Sequence, residues 1–268
     1  MLSPSIPLTG LLPEGSEWTP VAHGESDATV LRHASGERFA KVVSATAAST
    51  LEAERDRIEW LQGAGIAGPT VLDWRASEHG VSLITSTVAG IPAEHLDPTQ
   101  LRTAWPSIIH TLRHLHSVPT PSCPYDRSLD EMMTAARATV TENRVHTEFL
   151  PQHLQHTPTE VILAGLEREL PQRQKQEAGD SVVCHGDFCL PNVLIDPETL
   201  HVNGLIDLGR LGRADPYADI ALLLANARET WPDENTARHA DDEFARRYGI
   251  VLDPARQDFY LRLDPLTW

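Results

Sequence analysis

The chain reads as an α+β protein in two parts: a small antiparallel sheet with one helix, then a larger and mainly helical region. Three observations predict this. Short β-patterned runs dominate the residues up to Val88. Apolar residues at helical spacing dominate the chain beyond Val88-Ala-Gly-Ile-Pro. The length of 268 residues also exceeds the roughly 100–200 of one ordinary domain. The expected division is 1–88 and 89–268.

Thr29-Val-Leu-Arg and Arg38-Phe-Ala-Lys-Val-Val form paired strands around the turn Ala34-Ser-Gly-Glu. Leu51, Arg55, Ile58 and Leu61 recur at helical spacing, and Ser49 followed by Glu52 is a capping-box pattern. Gly63 and Gly65 end that helix, and Thr70–Trp74 and Val81–Val88 add two strands joined at His79-Gly80. Asp97-Pro98 then opens a helix whose Leu101, Trp105, Ile108, Leu112 and Leu115 make an apolar stripe, with Pro106 expected to kink it. Further helices are expected over 129–143, over 158–175 and after Tyr217. Three short strands, 181–184, 192–196 and 202–207, lie before the last of them.

Composition narrows the function. Thirty-eight acidic residues against 22 basic ones give a net charge of −16. Such a surface repels nucleic acid and anionic membranes and favours a cationic small molecule. The longest purely apolar stretch, around Ile220–Ala225, is far short of the roughly 20 residues that cross a bilayer. The N-terminus has neither the basic region nor the apolar core of a secretion signal, so a cytoplasmic protein is expected. Three cysteines, Cys123, Cys184 and Cys189, form no C-x-x-C pair, which argues against a disulfide framework or structural zinc. Of the basic residues only Lys41 and Lys175 are lysines. Where arginine serves everywhere else, a retained lysine invites a chemical reason.

The stretch richest in chemistry is Cys184-His-Gly-Asp-Phe-Cys-Leu-Pro-Asn192, followed by Gly204-Leu-Ile-Asp-Leu-Gly209. The strands between, joined at Pro197-Glu-Thr, are expected to fold back and gather Asp187, Asn192 and Asp207 at one mouth. Two carboxylates and a carboxamide are hard oxygen ligands suited to Mg²⁺ rather than zinc. Phosphoryl transfer needs such a set, with one group orienting the attacking hydroxyl and others holding metal on the nucleotide phosphates.

H-G-D-x-x-x-x-N followed by I-D-L-G resembles the catalytic and metal loops of the aminoglycoside phosphotransferases, relatives of protein kinases, whose own pattern is H-R-D-x-x-x-x-N and D-F-G. The resemblance extends from Gly24 to the end and implies a bilobal protein-kinase-like fold. Phe39-Ala-Lys41-Val resembles the strand that carries the phosphate-binding lysine, and Glu54 falls where the family has its partner. The resemblance also implies ATP and Mg²⁺ as cofactors, Asp187 as catalytic residue, and Asn192 and Asp207 as metal ligands. In His23-Gly-Glu-Ser26 it places Ser26 on a nucleotide phosphate. By position, Ser86, Thr87 and Val88 match the connector that meets adenine.

Two departures from the protein-kinase pattern carry information. Only seven residues separate Asp207 from Asp215, and no A-P-E follows, so there is no room for a phosphorylatable activation loop. A protein substrate is therefore not expected. Asp219, at the start of an apolar helix, reads as an anchor of the catalytic loop.

Trp105-Pro-Ser, Cys123-Pro, Glu167-Arg-Glu-Leu-Pro and the terminal Phe259–Trp268 resemble the branch that phosphorylates streptomycin at its 3''-hydroxyl. That resemblance implies a cationic aminoglycoside partner, and a monomer is expected. Asp264 and the Trp268 carboxylate become the candidates for gripping the drug. Arg210 either approaches the nucleotide or substrate or serves in a salt bridge. Three alternatives stay open: a kinase of another small hydroxylated metabolite, a catalytically dead nucleotide-binding module, and a metal-dependent hydrolase built on His185, Asp187 and Asp207.

Overall fold

The computed structural model describes residues 6–15, 17–21 and 28–268. It divides into two compact units. The first is the chain up to Gly90 together with Asn203–Gly209, and the second is Ile91–Val202 with Arg210–Trp268. A linear division at Val88 does not contain that second stretch of the first unit, which carries Asp207.

The first unit holds β1 (Trp18–Pro20), β2 (Thr29–His33), β3 (Arg38–Ser44), α1 (Ala48–Gly63), β4 (Val71–Ser77) and β5 (Gly80–Ser86). The strands form one antiparallel sheet in the order β1-β2-β3-β5-β4, with Lys41 opposite Val30 on one side and Leu83 on the other. Strand alternation puts Ala40 and Val42 on one face, where they pack with Leu11, Leu31 and Ile84. Lys41 falls on the opposite face.

Helix α1 differs from expectation in two ways. Its cap is Ala47, with no side-chain hydrogen bond, because a short 3₁₀ turn over Ala45–Ala47 feeds straight into it and leaves Ser49 inside the first turn. Its buried stripe is Leu51, Glu54, Ile58 and Leu61, so Glu54 rather than Arg55 lies on the inward face. A carboxylate on an apolar stripe requires a partner there.

The second unit holds β6 (Ile91–Pro92), α2 (Pro98–His116), α3 (Leu129–Thr141), α4 (Thr159–Asp180), β7 (Val182–Cys184) and β8 (Val193–Ile195). β9 (Val202–Leu205) leads out of it, and β10 (Gly212–Ala214), α5 (Tyr217–Thr230), α6 (Glu234–Tyr248) and α7 (Pro254–Leu263) complete it. Asp97 caps α2 as expected: its Oδ1 accepts the Thr99 and Gln100 amides, and the Asp97 amide donates back to the Gln100 side chain. Trp105 anchors the core of this unit, edge-on to Trp231 at 5.6 Å and donating its indole N–H to the Ala240 carbonyl at 3.1 Å. β10 pairs antiparallel with β7, Gly212 opposite Cys184, and thereby fixes the strand that runs into His185-Gly186-Asp187. Among the described residues no helix is long and apolar enough to cross a membrane.

Candidate active site

In the first unit the structure brings Lys41, Glu54 and Asp207 together. Lys41 Nζ donates to Glu54 Oε2 at 2.8 Å and to Asp207 Oδ1 at 3.2 Å. Burial alone would lower the Lys41 pKa, but the two carboxylates outweigh it and hold the ammonium protonated well above its ordinary range. Burial raises Glu54 in turn, with Lys41 pulling the other way. Asp207 has a left-handed backbone, φ +60°, and its side chain is 51% exposed. At the end of β5, the Ser86 and Thr87 amides donate to the carbonyls of Thr70 and Glu37, and the Thr87 hydroxyl donates to the Gly36 carbonyl at 2.7 Å. Ser26 lies outside the described residues.

In the second unit the loop after β7 is built around Asp187. Asn192, buried, donates from Nδ2 to the Asp187 carbonyl at 3.0 Å and to its Oδ2 at 3.1 Å. Cys189 Sγ lies 3.6 Å from the other carboxylate oxygen. Burial first, and Asp187 second, push the Cys189 thiol pKa far up, so the sulfur stays protonated as a donor and is no nucleophile. Asp219 supports the loop from below, as expected: its oxygens accept the His185 and Gly186 amides at 2.7 Å each. Burial favours protonation of Asp219, yet hydrogen bonding and charge from His116 and His185 bring it below the usual carboxylate range.

Asn192 and Asp207, expected as metal ligands, offer hard oxygens that suit Mg²⁺. With Nδ2 committed to Asp187, the carboxamide of Asn192 keeps Oδ1 as its ligating atom. His116, Cys184 and Asp219 also place ligand-type atoms within 4.8 Å of one another. Burial raises the Cys184 pKa well above its usual range, and Asp219 in that cluster is already engaged by the His185 and Gly186 amides.

The three residues expected to face the acceptor also meet in the second unit. Arg210 Nη1 donates to Asp264 Oδ1 at 3.4 Å, and its guanidinium carbon lies 5.0 Å from the centre of the Trp268 ring. Trp268 donates its indole N–H to Asp264 Oδ2 at 3.2 Å. Asp264 is only 8% exposed. Of the two roles open to Arg210, the salt bridge is the one formed here. Sequence reasoning missed the aromatic partners of Trp268: His146 stacks on it at 5.8 Å and Phe149 lies 4.9 Å away. Both sit in an irregular segment, where no spacing pattern signals a shared surface. Arg127, 3.6 Å from Asp264 Oδ1, was missed for the same reason.

A family model described as "Phosphotransferase enzyme family" matches residues 17–260. The streptomycin 3''-kinase of Streptomyces griseus is 56% identical over 254 residues, covering 95% of this chain and 93% of its own. An aminoglycoside 3'-phosphotransferase of Streptomyces fradiae is 37% identical, covering 92% and 94%. Among solved structures, that of aminoglycoside phosphotransferase APH(3'')-Id from Streptomyces rimosus in complex with ADP and streptomycin superposes with a TM-score of 0.90. It is 53% identical, covering 94% of this chain and 92% of that one.

Proposed function

The chain belongs to the phosphotransferase enzyme family, and on that premise we propose that it moves the γ-phosphoryl group of ATP to the 3''-hydroxyl of streptomycin. One observation carries the acceptor: the 56% identity to a streptomycin 3''-kinase runs through 95% of the chain. The likeness to a relative solved with ADP and streptomycin supports the same reading.

Each residue takes a role its surroundings support. Lys41, held protonated between Glu54 and Asp207, neutralises nucleotide phosphate charge. Asp187, its carboxylate fixed by Asn192, orients the acceptor hydroxyl and receives its proton. Asp207 and Asn192 would each offer an oxygen to Mg²⁺, which when bound would neutralise charge on the nucleotide phosphates. Backbone groups of the Ser86–Val88 connector are proposed to meet adenine, and with the Ser86 and Thr87 amides engaged by Thr70 and Glu37 the amide assigned to that contact is Val88's. Ser26 is assigned to a phosphate on the family resemblance alone.

Asp264 and the Trp268 carboxylate are the acidic groups proposed to meet the drug, and carboxylates can hold guanidinium through bidentate bonds. Because Asp264 is buried and already paired with Arg210, it organises that end of the chain while the terminal carboxylate makes the outer contact. The protein is proposed to act as a cytoplasmic monomer. A phosphate adds about −1.5 to −2 charges to a drug recognised as a cation, which inactivates it.

A phosphorus NMR spectrum of the purified protein with Mg-ATP and streptomycin tests this. The expected result is one new phosphomonoester coupled to the 3'' carbon. Inorganic phosphate without a phosphorylated drug, or turnover of choline with indifference to streptomycin, would overturn it.

A further inference from the structure

The H-G-D motif has glycine where the protein-kinase pattern has arginine, and here the guanidinium arrives from elsewhere in the chain. Gly186 has φ +82°, and a Cβ built on it would stand 2.2 Å from the Arg210 carbonyl oxygen and 2.7 Å from both Cδ and Nε of Arg127. Arg127 reaches this point through strand pairing. Its amide donates to the Arg213 carbonyl at 3.1 Å, and the Arg213 amide donates to the Tyr125 carbonyl at 2.9 Å. That ties residues 125–127 to β10, and so to the strand that leads into Asp187. A Cβ at Gly212 would meet Arg127 Cβ at 3.1 Å. Gly186 therefore admits both the Arg210 backbone and the Arg127 side chain, and Gly212 admits the backbone of residues 126–127 together with the start of that side chain.

The guanidinium is unusual in what it lacks. Nε and Nη2 are buried and make no hydrogen bond among the described residues. Asp264 Oδ1, 3.6 Å from Nη2, is shared with Arg210. Two guanidinium groups against one carboxylate leave an excess positive charge, and the fields of Asp219 and Asp187 help to offset it. Burial, followed by repulsion from Arg210, weakens Arg127's hold on its proton. A buried cation with donors unmet does little for stability, since each unmade hydrogen bond carries the full desolvation penalty of its group. Its worth lies in what it holds in place.

We propose that Arg127 is a positioning residue for phosphoryl transfer. Its side chain lies against Gly186 of the H-G-D motif and, through Asp264, ties the C-terminal segment to the loop that carries Asp187. This rests on the reading of the chain as an acceptor kinase. The link makes the end of the chain proposed to meet the drug and the group that orients the hydroxyl a single packed piece. A 1 Å misplacement of such a group is enough to cost about 10²-fold in rate.

The test compares Arg127→Gln, Asp264→Asn and the double variant at saturating Mg-ATP and streptomycin. Each single change should lower kcat about 10²-fold with KM for ATP unchanged, and the double should lose no more than the worse single. Arg127→Lys should recover part of the loss. A kcat for Arg127→Gln within roughly twofold of wild type, or a double whose loss is the product of the singles, would overturn the proposal. Should Arg127→Gln fail to fold, hydrogen exchange in Asp264→Asn decides: faster exchange over residues 185–188 supports the link, and unchanged protection overturns it. If the wild type transfers nothing to streptomycin, the acceptor reading falls. The exchange comparison still judges Arg127, because it needs no turnover.

Discussion

The side-chain amide of Asn192 holds Asp187 twice, through the backbone carbonyl at 3.0 Å and the carboxylate at 3.1 Å. A residue proposed to ligate metal thus also sets the direction of the residue proposed to accept the proton. Asn192→Asp removes the donor and places a second negative charge against Asp187. Its kcat should fall by about 10²-fold or more, while the melting temperature moves little. Steady-state kinetics beside a thermal melt checks this. Near-normal kcat would show that Asp187 does not depend on Asn192.

Lys41 touches two carboxylates, and only Glu54 sits on the buried face of α1. Glu54→Gln keeps the shape but drops the charge that centres the ammonium. Lys41 should then drift toward Asp207 and lose its hold on phosphate. The expectation is a rise in KM for ATP of about tenfold, with a smaller fall in kcat. Asp207→Ala should abolish both turnover and Mg²⁺-dependent nucleotide binding, as measured by calorimetry with and without chelator. Retained Mg²⁺ dependence would remove Asp207 from the metal role.

How much of this could be read along the chain depends on the range of the interaction. The strands around Lys41 and the cap at Asp97 follow from alternation and capping chemistry within a few residues. The grouping of Asp187 with Asn192 follows from their spacing on one loop. Arg127 gives no such signal, since its neighbour Gly186 is set by the pairing of β10 with β7. The stacking of His146 and Phe149 on Trp268 joins an irregular segment to the chain end, which no periodicity encodes. On α1, helical spacing alone admits either Arg55 or Glu54 on the inward face. Lys41 on the facing strand decides between them.

Glu177 accepts the Leu129 amide at the start of α3, yet burial pushes its pKa up to about 7 against that bond. The folded protein therefore binds this proton more tightly than the unfolded chain does. The stabilising effect of protonation is full below the ordinary glutamate value of 4.5, declines above it and is lost once pH has risen through about 7. Melting temperatures of wild type and Glu177→Gln should nearly coincide at about pH 4 and separate progressively up to about pH 8, with the variant the more stable. Parallel curves across that range would show that Glu177 ionises normally. Because Glu177 is partly exposed, solvent screening should keep the separation modest.

Arg256 and Asp215 form the buried ion pair on which the α5 and α7 ends depend. Asp215 Oδ2 accepts from Arg256 Nε at 2.8 Å and Nη2 at 2.6 Å, its Oδ1 accepts the Tyr217 amide at 2.8 Å, and Asp180 takes Nη1 at 2.9 Å. Asp215 is wholly inaccessible to solvent. Arg256→Met therefore strands a carboxylate in the interior, and the expected loss is about 3–5 kcal/mol by urea denaturation. The pH response separates this from simple loss of packing. Burial already raises the Asp215 pKa with Arg256 opposing it, so without Arg256 the folded value should climb further above the unfolded one. The variant should regain stability as pH falls and lose it as pH rises through that elevated pKa. Adding Asp215→Asn to Arg256→Met removes the stranded charge, so the double variant should be more stable than Arg256→Met at pH 8. A double variant no better than the single would mean that the guanidinium acts by filling space rather than by neutralising Asp215.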